Sequence, residues 1–231
     1  MENSKHEDFD WAKDKNQIER YIKDSEVVRG RGYTCIECGQ EMIAKKSDLE
    51  LRRHHFAHFA VDVINKGKCT FSNETYRHNI AKKILQILKK IKVPPLYKLP
   101  PSGYDGKPNK LQDSKFIEAD KVEIQMQFYE TKEGKICWGR NKNDEEDKTK
   151  FNLFEPDVSF FDKNGNPILL IEIVATHDID KDKLFKIQSL GIDTIKVKIP
   201  RSSKEEIENT FLTSNNTEWV YNYERETTEY I

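Results

Sequence analysis

The stretch from Glu155 to His177, EPDVSFFDKNGNPILLIEIVATH, constrains this chain more than any other. It reads as two strands joined at Asn164-Gly165, the dipeptide that most strongly marks a two-residue hairpin turn. With those residues as the turn, Lys163 faces Asn166, and counting outward sets Asp157 opposite Glu172. Directly opposed side chains on an antiparallel pair share one face, with Cβ atoms roughly 4.5–5.5 Å apart. Two carboxylates so placed repel each other unless a cation lies between them. Glu172 also interrupts an apolar run from Ile168 to Val174, where an unpaired buried charge is costly. Either this strand lies at the surface with Glu172 solvated, or the hairpin carries a divalent-metal site. The second reading is the sharper expectation.

The 231 residues suffice for one large domain or two small ones. Lys and Arg number 39 against 40 Asp and Glu, for a formal net charge of −1. Any nucleic-acid surface must therefore be a local patch. No apolar run approaches the ~18 residues of a membrane span, and the polar N-terminus has no signal-peptide core. A cytoplasmic location with no membrane partner is expected. Three of the four cysteines, Cys35, Cys38 and Cys69, fall in one segment beside histidines. In a reducing compartment that clustering favours metal over disulfide. Cys137 reads as a small packed residue in a strand.

Residues 1–25 suggest a short helix or strand, with Phe9, Trp11, Ile18, Tyr21 and Ile22 as apolar anchors. A helix capped by Ser72 or Asn73 runs to about Lys92 and stops at Pro94-Pro95. Its core stripe is Tyr76, Ile80, Ile84 and Leu88, with Ile87 and Ile91 beside it. Residues 100–114 read as a loop, Phe116–Tyr129 and Ile136–Trp138 as strands, and Asn141–Lys150 as a solvated loop. After the hairpin, a helix starts at Asp178 or Asp180 and ends at Gly191, before a β-rich run from Ile192 to Ile199. That strand–helix–strand unit implies a right-handed crossover within one sheet. A helix near 203–211 and a strand near 218–223 close the chain.

Cys35-Ile-Glu-Cys38-Gly39 is a knuckle, two thiolates from one turn. His54, His55, His58 and Cys69 follow it. Structural zinc takes four nitrogen or sulfur ligands in a tetrahedron. Cys35, Cys38, His58 and Cys69 are the expected set, with His55 the alternate for one of the last two. Such a closed site leaves no position for catalysis, so the zinc is structural. Glu74, His78 and Lys82 recur every four residues, a polar stripe along the 73–92 helix. Glu74 falls at the edge of the apolar face, with His78 and Lys82 progressively nearer solvent. By itself the stripe is an ordinary solvated face; it matters if the helix packs beside the hairpin.

The ordered set of Gly-Tyr-Thr-Cys35-x-x-Cys38-Gly, Met-Ile-Ala-Lys45, His55-Phe-Ala-His58, Cys69, Glu74-Thr-x-x-His78-x-x-x-Lys82, Pro156-Asp157-Val and Ile171-Glu172-Ile resembles the CoiA-like competence proteins. The resemblance spans about residues 9–200. It implies an α/β fold: a small N-terminal zinc-ribbon-like module over residues 1–71, then a PD-(D/E)xK nuclease-like mixed sheet flanked by helices over 72–231. It further implies that Asp157 and Glu172 bind catalytic Mg²⁺ or Mn²⁺ for hydrolysis of DNA phosphodiesters, supported by Glu74 and His78. DNA processing, uptake or defence would be the setting, with a protein partner in such a complex. The family motif's lysine should stand two residues after the glutamate, where this chain has Val174. The pattern Thr176-His177-x-x-Asp180-x-x-Lys183 makes Lys183 the first replacement and His177 the second, with Lys181 and Lys186 also in reach. Lys45, Lys46, Arg52, Arg53, Lys82, Lys83, Lys89 and Lys90 are candidate phosphate contacts.

Overall fold

Phe9, Trp11, Tyr21 and Ile22 are buried, and their burial explains how a polar N-terminal segment acquires a core. The structure, a computed structural model, describes residues 8–48, 52–59, 69–139, 151–175 and 178–230. The chain divides into two compact units, Met1–Arg77 with Arg201–Lys204, and His78–Pro200 with Glu205–Ile231. The division falls after Arg77, inside a helix, where the sequence suggested Phe71.

The first unit is built on a five-stranded antiparallel sheet. Its strands are β1 (Trp11–Lys13), β2 (Glu19–Tyr21), β3 (Gly30–Thr34), β4 (Glu41–Lys45) and β5 (His55–His58), in the order β2-β1-β3-β4-β5. The N-terminal segment is thus strand, and Phe9 adds a bridge to Phe56. Phe56 and Met42 are fully buried. Phe9 packs its ring edge-on against His58 at 5.0 Å and tilts onto Phe71 at 5.5 Å. The module therefore has an aromatic core of its own, drawn largely from residues before the cysteine knuckle. The helix α1 (Asn73–Leu88) starts here, with Ser72 Oγ accepting from the Thr75 amide at 3.3 Å.

Helix α1 continues into the second unit and ends at Leu88, short of the expected Lys92. Lys89 takes φ 50°, a left-handed conformation that closes the helix, and the following residues become strand β6 (Lys90–Val93). The apolar face is also rotated from the expected stripe. Ile80, Ala81 and Leu85 are buried, whereas Ile87 is 81% exposed.

Strands β7 (Leu96–Lys98) and β8 (Asn109–Gln112) pair as a ribbon, so part of the expected 100–114 loop is strand. The alternating run from Phe116 is broken into β9 (Lys115–Glu118), β10 (Lys121–Ile124) and β11 (Gln127–Glu130), with Gln125 at φ 55° between the last two. β6 pairs with β9. β11 lies between β12 (Ile136–Gly139) and β13 (Phe151–Phe154) in a three-stranded sheet. The expected Asn141–Lys150 loop lies outside the described residues.

The largest sheet of this unit has the order β10-β14-β15-β16-β17, adding β14 (Val158–Phe161), β15 (Pro167–Val174), β16 (Thr194–Lys198) and β17 (Thr217–Tyr221). β15 and β16 are parallel, joined through helix α2 (Lys181–Leu190), and the other pairs are antiparallel. Leu169 to Ile173 are all buried, as a central strand covered on both faces must be. Phe128, Phe154, Phe161 and Leu170 pack with Ile187 and Leu190 of α2. Helices α3 (Lys204–Leu212) and α4 (Tyr223–Thr227) complete a mixed α/β chain. No helix among the described residues is long and apolar enough to cross a membrane.

Candidate metal centre and buried carboxylate pair

The knuckle between β3 and β4 turns because Gly39 adopts φ 68° and donates its amide to the Cys35 carbonyl at 3.1 Å. This turn brings Cys35 and Cys38 together. Strand β5 supplies His58, and Cys69 arrives just before α1. Their four ligand atoms all lie within 4.8 Å of one another. Cys35 Sγ stands 3.6 Å from Cys69 Sγ, and Cys38 Sγ stands 3.3 Å from His58 Nε2. Two zinc–sulfur bonds of about 2.3 Å at a tetrahedral angle separate the sulfurs by roughly 3.8 Å, so the spacing suits such a metal. Burial pushes the Cys35 thiol up to about 12, so a cation is what would make it a thiolate. The donor set fits a closed site for a metal such as zinc.

His55 and His54 are engaged elsewhere. His55 Nε2 meets Asp8 Oδ1 at 3.2 Å, and His54 Nε2 lies 2.8 Å from the Ser47 carbonyl. The reason is strand alternation: His58 lies three residues beyond His55 on β5, so the two side chains project to opposite faces.

In the hairpin, the turn differs from the expected pair of residues. Gly165 donates to the Asp162 carbonyl, Asp162 donates to the Asn166 carbonyl, and Gly165 takes φ 80°. Lys163 and Asn164 are thus the turn's centre and Gly165 its left-handed exit. Asp162 fixes it, its carboxylate accepting from the Asn164 and Asn166 amides at 2.9 and 2.8 Å. The longer turn shifts the register by one residue, and a bulge between Phe160 and Phe161 shifts it back. Val158 pairs with Ile171, so continuing the ladder by one residue places Asp157 opposite Glu172.

Asp157 is held from three sides. Lys82 Nζ lies 2.7 Å from Oδ1, His78 Nδ1 lies 3.9 Å from the same oxygen, and the Ile173 amide donates to Oδ2 at 2.9 Å. Burial pushes this carboxyl up, but the nearby His78, the Lys82 ammonium and the hydrogen bond from the Ile173 amide outweigh it. They hold it well below the usual carboxylate range. Glu172 goes the other way. Only 2% exposed, it is pushed by burial up to about 7; the Lys183 ammonium opposes this and the Asp157 charge adds to it. Lys183 Nζ donates to Glu172 Oε2, while the buried Oε1 accepts no hydrogen bond among the described residues.

Local sequence explains Lys183. Asp180 caps α2 by accepting from the Lys183 amide at 2.7 Å, fixing the helix start. Lys183 then lies in the first turn of α2, in reach of Glu172. Val174, at the expected lysine position, is half-buried, and its partner on β16 is Lys198. Lys196, opposite Glu172 on β16, is turned to Asp178 at 2.7 Å and Glu218 at 3.2 Å. His177 lies outside the described residues. Glu74 is half-buried in the first turn of α1, within the first unit.

Sequence reasoning missed Lys82 as a partner of Asp157. The stripe was expected to run outward into solvent, yet the Lys82 side chain is 13% exposed. The available signal was its i+4 spacing from His78. Among the other candidate phosphate contacts, Lys46 donates to the Asp24 and Val27 carbonyls and Lys89 to that of Asp120. Those ammonium groups brace backbone.

No family model matches the chain, and no curated protein or solved structure shows significant similarity to it.

Proposed function

We propose that this chain is a metal-dependent nuclease that hydrolyses DNA phosphodiesters, with a structural zinc in its N-terminal module and a PD-(D/E)xK-type catalytic unit. One observation carries the reading. A carboxylate pair sits across a hairpin, with Glu172 Oε1 buried and lacking a hydrogen-bond partner among the described residues. A buried carboxylate oxygen without a donor is costly unless something cationic completes it. Mg²⁺ or Mn²⁺ held by Asp157 and Glu172 would act as a Lewis acid on the phosphate and lower the pKa of a bound water.

The chain's own groups have separable tasks. His78, Lys82 and the Ile173 amide keep Asp157 ionised. Glu172 is held near half-protonation at neutral pH, so binding a divalent ion there displaces a proton. Lys183 neutralises Glu172 beforehand; with a phosphate present, its ammonium would hydrogen-bond the water or the non-bridging oxygen, the task of the lysine absent at Val174.

Plasmid and single-stranded DNA incubated with Mg²⁺ or Mn²⁺ test the reading. Cleavage is expected, lost in Asp157→Asn and Glu172→Gln, and reduced at least ~10-fold, about 1.4 kcal/mol of barrier, in Lys183→Ala. Activity should rise from pH 6 to 8 as Glu172 ionises. Lys82 and Lys183 already neutralise both carboxylates, which favours a second reading: a non-catalytic zinc-dependent nucleic-acid-binding or interaction subunit. DNA binding without cleavage under either metal would establish the second and sink the first.

A further inference from the structure

Asp10, 2% exposed, is the focus of more positive charge than it can balance. Arg53 Nη2 reaches its Oδ1 at 3.1 Å, Arg201 Nε pairs with Oδ2, and the buried Arg77 acts on it electrostatically. Arg53 has a weaker contact with Asp8, at 3.6 Å. Arg201 comes from the short segment that joins the first unit from far along the chain. Asp8 adds a second carboxylate beside Arg53, and its carbonyl accepts from Arg53 and Arg201 at 3.5 Å; three guanidinium groups against two carboxylates still leave positive charge and N–H donors in excess.

Those donors border a cavity of about 440 Å³ within the first unit, lined by Asp10, Arg53, Arg201, Arg52 and Lys23 among others. Arg53 and Arg201 are each anchored through one part of the guanidinium on Asp10 and remain 46% and 41% exposed. Their planar forks are therefore oriented while keeping accessible N–H groups. Arg52 and Lys23 are exposed and have no ion-pair or hydrogen-bond partner among the described residues. Asp48 is the other carboxylate among the described lining residues, and cations are in excess among them. Oriented arginines around a ligand-sized hollow match the geometry and charge of a phosphate, which takes bidentate guanidinium hydrogen bonds.

We propose that this cavity is a phosphate-binding site, with Arg53 and Arg201 as pre-oriented forks and Arg52 and Lys23 as added charge. The phosphate belongs either to a nucleic-acid end or to a free nucleotide. Only the first source rests on the nuclease reading.

The test uses the full chain in Mg²⁺-free buffer without chelator, so that neither cleavage nor a catalytic metal enters. Inorganic phosphate, AMP, and one oligonucleotide with a 5′-phosphate or a 5′-hydroxyl are titrated at constant ionic strength, with chloride as control. Saturable phosphate and AMP binding is expected. Arg52→Gln and Lys23→Gln, which remove no ion pair seen in the fold, should each weaken it by at least ~10-fold, the loss of one charge-assisted hydrogen bond. Tighter binding of the 5′-phosphorylated strand identifies a nucleic-acid end; AMP binding with no difference between strands identifies a free nucleotide. Either supports the site. Phosphate and AMP binding no stronger than the chloride control, or binding unchanged in both variants, overturns it. DNA cleavage is measured separately, so the nuclease reading can fail while this site stands, or the reverse.

Discussion

Asp157 and Glu172 are neighbours of one chemical type, yet their environments move their protons in opposite directions. Asp157 gains the Lys82 ammonium and the Ile173 amide with His78 nearby; Glu172 gains one ammonium and a dry wall. The stability consequences have opposite signs. Glu172 binds its proton more tightly folded, near 7, than at its ordinary 4.5. Its contribution is therefore fully present below 4.5 and lost as pH rises through 7. Without added Mg²⁺, Glu172→Gln should be more stable than wild type at pH 8, by on the order of 1–3 kcal/mol, with the gap closing toward pH 5. Urea unfolding at each pH reads this; a less stable variant at pH 8 would mean that the Lys183 pairing outweighs burial. Asp157 is depressed below its ordinary 3.8, so its contribution is present above that value and lost on acidification. Lys82→Ala should cost on the order of 2–4 kcal/mol at pH 7, since it leaves a mostly buried carboxylate short of a partner. The difference should shrink below pH 3.

The element that organises the pair is the hairpin, and its register depends on two compensating irregularities. The Asp162–Gly165 turn adds a residue and the bulge at Phe160/Phe161 removes the offset. A two-residue turn would have reached the same pairing at Asp157, so correct register was legible from Asn164-Gly165 although the turn type was not. The deciding signal was Asp162, whose carboxylate caps the turn. At Gly165, φ is 80° and no atom lies within 4 Å of an added Cβ. Gly165→Ala should therefore carry only the conformational cost, about 1–2 kcal/mol, while Gly165→Asn should cost less because asparagine tolerates that region. Equal losses for both in a denaturation series would point to a different turn. Helix α1 shows the converse case. Its apolar periodicity marked a stripe of Tyr76, Ile80, Ile84 and Leu88 with Ile87 beside it; Ile80 is buried as expected, but packing buried Ala81 and Leu85 and left Ile87 exposed. Hydrophobic spacing marks a band on a helix and leaves its rotation to the neighbour it meets.

At the scale of the whole molecule, the first unit combines an aromatic core with a Cys₃His cluster. Removing a metal bound at this cluster should then loosen the unit without erasing its secondary structure, because Trp11, Met42 and Phe56 are buried. Cys35→Ser is expected to lower bound zinc from about one per chain toward zero by elemental analysis, and to make residues 30–70 protease-sensitive. A metal-free purified chain with unchanged protease resistance would remove zinc from the account.

Features whose partners are close along the chain, or paired by strand counting, follow from the order of residues alone. Those are the knuckle turn at Gly39, the start of α2 at Asp178 or Asp180 and its stop at Gly191, and the opposition of Asp157 and Glu172. The sequence also named Cys35, Cys38, His58 and Cys69 as the expected metal-binding set with His55 the alternate, and these four are the residues the fold clusters. Encounters between side chains of separate elements arise only once the chain has packed. Lys82 turns to Asp157, and Arg53 and Arg201 converge on Asp10. Local geometry is set by turn chemistry and backbone sterics that each residue carries with it. An ion pair across elements exists only after packing has excluded water from both partners, and no spacing in the chain encodes which faces that packing will cover.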